Sequence, residues 1–120
     1  MLIRIALLLA LALPLVAQTP HSVTLSWHPT PGGTPTGYHV KRSTLPQGPY
    51  TLIASVPGTS YIDQASATNQ LTEGATYWYV VTALRPDGSE TDNSNVLGAT
   101  IPTTVQQTIN PPFLDSAVAK

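Results

Sequence analysis

The side chains in this chain best suited to chemistry are three histidines, His21, His28 and His39, and six carboxylates, Asp63, Glu73, Asp87, Glu90, Asp92 and Asp115. Nucleophilic catalysis needs a hydroxyl or thiol within reach of a base that a third group orients. No Ser/His/Asp set of that kind can be assembled from these positions, and there is no cysteine. A glycosidase needs two carboxylates about 5–10 Å apart across a cleft. The acids read mostly as turn residues. Asp87, Glu90 and Asp92 are close in sequence, but they share one loop, around which no deep pocket is expected. A weak calcium site in that loop is the minor alternative, since calcium wants about six to eight oxygens; Pro86-Asp87-Gly88 is ordinary turn chemistry. The histidines lack the converging donors and oriented outer layer that metal sites need. The expectation is no catalytic residue, no cofactor and no metal.

Stacking is the chemistry that remains. Over residues 76–84 the side chains alternate with a period of two, placing Tyr77, Tyr79, Val81 and Ala83 on one face and Trp78, Val80 and Leu84 on the other. If the tyrosines point inward, Trp78 and Val80 face outward, near His39 and Lys41 of an earlier strand and Val96 of the last one. An exposed tryptophan amid aliphatics and a lysine can stack on a sugar ring or on a partner protein. The plainer reading is that long neighbours such as Lys41 lay their stems over the indole, and that aromatic residues simply form strands well.

The elements that must hold these residues are short strands. Val23, Leu25 and Trp27 alternate with polar residues, as do Tyr38 and Val40 with His39 and Lys41. Further strands are expected over residues 50–56, 60–63, 76–84 and 95–101, separated by Pro/Gly turns such as Pro46-Gln-Gly-Pro49 and Pro57-Gly58. No helical period occurs, so an antiparallel sandwich of six or seven strands is the natural solution. At 120 residues there is room for one domain. The formal charge is −1; without Arg4, four Lys/Arg face six Asp/Glu, giving −2. Neither value suits a polyanion, because nucleic-acid binding needs a dense basic face.

Three segments, Val23-Thr-Leu-Ser-Trp27, Gly37-Tyr-His-Val-Lys-Arg-Ser43 and Leu71-Thr-Glu-Gly-Ala-Thr-Tyr-Trp-Tyr-Val-Val-Thr-Ala83, together with Ser94-Asn95, resemble a fibronectin type III domain of the bacterial extracellular kind. The resemblance covers about residues 20–102. It implies an all-β, immunoglobulin-like, antiparallel Greek-key β-sandwich, with Trp27, Tyr38, Val40, Tyr79 and Val81 structural. Leu71 and Tyr77 match the family's tyrosine corner, in which the phenol hydroxyl reaches backbone upstream. It also implies that His28 and His39 lie in opposite sheets, pointing apart and unable to share a metal. Arg85-Pro86-Asp87-Gly88 is not the family's Arg-Gly-Asp adhesion tripeptide, and no integrin binding follows from it.

The organisation expected is a signal peptide over residues 1–17, a domain over 18–102 and a flexible tail over 103–120. Arg4 supplies the positive start of the signal, residues 5–13 the apolar run, Pro14 a break and Ala17 a small residue at the cut. The apolar run is short of the ~20 residues a spanning helix needs, so no stable membrane span is expected after cleavage. The interval before Val23 is too short for the family's first strand, which leaves that edge open. The tail, with Val105 and Ile109, is an extended candidate to close it in the same or a neighbouring copy. The function expected is a non-enzymatic, secreted binding or spacer module, in the periplasm or at the cell surface if bacterial, with a protein or carbohydrate partner. The alternatives are a carbohydrate- or matrix-binding protein using the Trp78 face, and a subunit of an extracellular assembly closed by strand addition.

Overall fold

In the computed structural model, residues 20–103 are described. The expected signal peptide and residues 104–120 lie outside them. Six strands follow one another: β1 (Ser22–Ser26), β2 (Gly37–Ser43), β3 (Thr51–Val56), β4 (Ser60–Gln64), β5 (Thr76–Leu84) and β6 (Leu97–Thr100). They form two sheets, β1-β4 and β3-β2-β5-β6, with every pairing antiparallel. The chain crosses between sheets after β1, β3 and β4, while β2-β3 and β5-β6 are adjacent neighbours. This is the expected immunoglobulin-like sandwich.

Alternation explains the layers. In β1 Val23 and Leu25 turn inward while Ser22, Thr24 and Ser26 are exposed. The buried centre is Leu71, Tyr77, Tyr79 and Ile101, against which Val23, Leu25, Ile53 and Ala99 pack. Val40 is fully enclosed. Trp27 meets the buried Tyr38 edge to face, ring centroids 5.6 Å apart. Trp27 and Val81 are partly rather than fully buried.

The tyrosine corner forms as its sequence implies. Tyr77 Oη accepts a hydrogen bond from Thr72 N at 2.9 Å and donates to the Gln70 carbonyl at 3.4 Å. The last strand is shorter than expected. Residues 91–94 still run beside β5, but hydroxyls take part in the ladder: Ala83 N donates to Thr91 Oγ1 and Val81 N to Ser94 Oγ, at 3.0 and 2.8 Å. The return bonds are ordinary, from Thr91 N to the Ala83 carbonyl and from Ser94 N to the Val81 carbonyl.

Candidate functional site

The outer face of the four-stranded sheet carries the expected partner-binding residues. In register, Lys41 stands opposite Val80, His39 opposite Thr82, and Trp78 between Ser43 and Gly98. A tight turn follows β5, closed by Gly88 N to Arg85 O and Arg85 N to Ser89 O. Gly88 takes a φ of +87°, which a side chain would resist. The turn returns Glu90 to bridge with Leu84, so Glu90 lies over the strands rather than in a solvated loop with Asp87 and Asp92. Its Oε2 accepts from Lys41 Nζ at 2.6 Å and from Thr82 Oγ1 at 3.2 Å. Its Oε1 lies 2.5 Å from His39 Nδ1, whose N–H donates. The Lys41 ammonium, then the His39 ring, hold the Glu90 carboxyl down to about 2.

Chemically this cluster is a closed ion-pair network. The Thr82 hydroxyl is buried and donates to the carboxylate, not to the imidazole. The Thr82 hydroxyl is thus committed to Glu90 and not to His39. Among the described residues, no three His, Cys, Asp or Glu side chains gather around a metal-sized space.

Two expectations about this face need correction. Val80 was expected to be exposed, yet it is 1% accessible, on a strand flanked by β2 and β6 with Lys41 opposite it in register. Trp78 is partly buried because its ring lies across β6: a Cβ at Gly98 would come within 2.6 Å of it. Glycine leaves the indole a seat on the backbone, an arrangement that protects a bare strand segment. Lys41 spends its ammonium on Glu90 rather than reaching for a ligand. Val96, 41% exposed, is the open apolar residue of the expected set.

A second polar cluster, unforeseen in the sequence, joins the sheets. Asp63 was grouped with turn acids, but it sits in β4 facing inward, 1% exposed. Its Oδ2 accepts from Arg42 Nη1 and Tyr79 Oη, both at 2.7 Å, and its Oδ1 from Asn69 Nδ2 at 2.8 Å. Burial pushes the Asp63 carboxyl up, but the Tyr79, Asn69 and Arg42 hydrogen bonds outweigh it and hold the group below its ordinary value. Burial, and then Asp63 itself, push the Tyr79 phenol well up. Arg42 also lies over the Tyr77 ring, 5.3 Å from its centroid. The available signal was alternation: Arg42 falls in step with Val40, and Asp63 with Tyr61.

At the pole where β1 and β5 end there are two open cavities. One, of about 490 Å³, separates the Pro29–Pro35 loop from Arg85, Pro86 and Asp87. The turn thus borders more space than its sequence suggested. Asp87 is occupied there by the amide and hydroxyl of Ser89, which hold its carboxyl below the ordinary value. The other, of about 390 Å³, is lined by Trp27, Tyr38, Val81, Ala83 and residues 91–94, among others.

Two antiparallel sheets crossed three times, with a tyrosine corner at the entry to β5, define an immunoglobulin-like β-sandwich module. The fibronectin type III domain model matches residues 12–100, and the chain belongs to that family. The match begins inside the stretch expected to be a signal peptide. Among solved structures, an Fn3-like protein from Clostridium thermocellum is 37% identical, with 68% of this chain and 78% of that one covered and a TM-score of 0.56. The sixth type III domain of human fibronectin type III domain containing protein 3 is 20% identical, with 78% and 90% covered and a TM-score of 0.55; that likeness is one of fold. No curated protein matches the chain.

Proposed function

We propose that this chain is a non-enzymatic, exported fibronectin type III module that acts by contact with another protein. The observation that carries the reading is how the charged side chains are used. Lys41 and His39 are spent on Glu90, Arg42 on Asp63, and His21 on Glu73. Such pairs hold strands together and leave no base facing a nucleophile. Membership of a family of modules agrees with this, although fold alone does not assign function. Export follows from the charged, apolar and small-residue pattern of residues 1–17.

The test is made on protein recovered from the medium or periplasm. Its intact mass should begin near Gln18, and retention of residues 1–17 removes the export reading. Wild type and Glu90→Gln are then assayed together against ester, peptide and glycoside substrates. Any turnover that copurifies with the wild type and falls in Glu90→Gln overturns the non-enzymatic reading. Glycan binding lost in Trp78→Ala at unchanged melting temperature would instead make the Trp78 face a carbohydrate platform.

A further inference from the structure

The sandwich is open along one flank among the described residues. Among the described residues β1 pairs with β4 alone, so its other edge presents unpaired backbone groups. Asp63 of β4 reaches Arg42 of β2 and Tyr79 of β5, while the end of β1 shares a cavity with Val81, Ala83 and residues 92–94. The free edge of β1 therefore lies toward the β6 side. There Leu97 stands directly opposite Tyr79, on the same core-facing side of the sheet. Tyr79 is 3% exposed, but Leu97 is 62% exposed. Leucine on the inner face of an edge strand is uncovered when no strand faces it. Trp27 Nε1, beside the same cavity, is buried without a hydrogen-bond partner among the described residues, and a buried donor in that state is costly. An uncovered inner leucine and an edge unpaired among the described residues together fit one added extended segment.

Polarity selects its source. His21 reaches Glu73, and Gly74 N donates to Ile101 O, so β1 begins, β5 begins and β6 ends at one pole. Thus β6 runs opposite to β1. The next residues, Thr-Val-Gln-Gln-Thr-Ile-Asn over 104–110, place Val105 and Ile109 on one side before Pro111-Pro112 interrupts. Extended, seven residues span about 23 Å, enough for the roughly 17 Å of β1. Turned back onto its own domain, this segment would run parallel to β1. Continued in the direction of β6 into a copy stacked end to end, it runs antiparallel to that copy's β1, the slightly more stable pairing.

We propose that residues 104–110 of one copy fill the open flank of the next, antiparallel to its β1, with Val105 and Ile109 on the core-facing side and one of the two covering Leu97. The contact is heterologous, so it propagates head to tail instead of closing. The proposal rests on the reading of the chain as a contact module, and it names the partner as a second copy. Residues 12–19, which the family match includes, are the rival occupant in an unprocessed chain; removal of residues 1–17 leaves the flank to the neighbour.

Complementation of two defects tests this in the secreted, full-length mature protein. Leu97→Asp spoils the groove at an already exposed position, and the double variant Val105→Asp/Ile109→Asp spoils the donor. In sedimentation velocity the wild type should form species that lengthen with concentration. Each variant alone should stay monomeric, and their equimolar mixture should give dimers and nothing longer. Association that persists in the donor variant, or a mixture that stays monomeric, overturns the proposal. So does a wild type that is monomeric throughout, including the case where the donor variant merely melts earlier because the tail covers its own domain. A monomer leaves the module reading intact, which fails separately on the activity assay.

Discussion

Replacing Asp63 with alanine removes one acceptor from three donors at once. Tyr79 Oη, in a residue 3% exposed, would lose the carboxylate oxygen it donates to at 2.7 Å. Arg42 would keep Asn69 Oδ1 at 2.9 Å, and Asn69 would keep the Gln64 carbonyl at 2.8 Å. The guanidinium would then be a mostly covered cation without its anion, and breaking a buried pair from one side costs about 3–5 kcal/mol. Against a typical domain stability of about 5–15 kcal/mol, Asp63→Ala should sit near the edge of folding. Urea denaturation followed by tryptophan fluorescence measures this, with the slope checked for constancy. Removing both charges with shape-filling residues, Asp63→Leu with Arg42→Met, should recover the share of the loss that belongs to the unpaired guanidinium, because its desolvation cost leaves with the pair, while Tyr79 Oη stays without its acceptor. The pH dependence has a fixed sign. The folded carboxyl lies below its ordinary 3.8, so its contribution is complete above that value and is lost as pH falls through the folded one. The acid limb of the stability profile should be flatter in Asp63→Ala. A cost below about 1 kcal/mol, or a double variant no better than the single, refutes the reasoning.

Glu90, held at about 2 against an ordinary 4.5, should stabilise the sheet fully above 4.5 and lose that contribution as pH falls toward 2; a carboxyl NMR titration reads this directly, and Glu90→Gln should abolish that acid-dependent contribution. Gly98→Ala should cost about 1–3 kcal/mol by overpacking, since the new methyl meets the Trp78 ring at 2.6 Å. In a thermal-unfolding cycle it should cost far less in a Trp78→Ala background. Trp78→Ala alone should lower stability by about 1–3 kcal/mol through lost burial, whereas Trp27→Ala should cost about 3–5 kcal/mol and nearly unfold the domain; equal melting temperatures for Trp78→Ala and wild type would contradict the seat on Gly98.

The layers were readable because period-two alternation acts locally: Val23, Leu25, Tyr77 and Tyr79 could be assigned without knowing what faces them. Leu71 and Tyr77 could be placed because the corner is a fixed spacing within one connection. What could not be read depends on pairs distant in sequence. Val80 is on the outward side as its alternation requires, but whether an outward valine is exposed depends on Lys41 opposite it and on a turn that swings Glu90 back over the sheet. Trp78 is governed by Gly98, twenty residues away. Asp63 is the clearest case. Its place in the expected 60–63 strand does not reveal its partners, and only the approach of Arg42, Asn69 and Tyr79 makes a buried carboxylate tolerable.

The contrast between the outer face and the open flank follows from what a partner would displace at each. On the outer face Lys41, His39 and Thr82 already converge on Glu90, so a ligand must break charged hydrogen bonds before offering its own, and desolvating such groups rarely repays itself. At the flank a partner displaces water from Leu97 and from the edge of β1, and returns both apolar contact and main-chain hydrogen bonds. Those two gains arise together only for an extended segment, because a globular surface could cover Leu97 but could not continue the β1 ladder. That restriction is why strand addition, and not face-to-face docking, is the mode of contact to test.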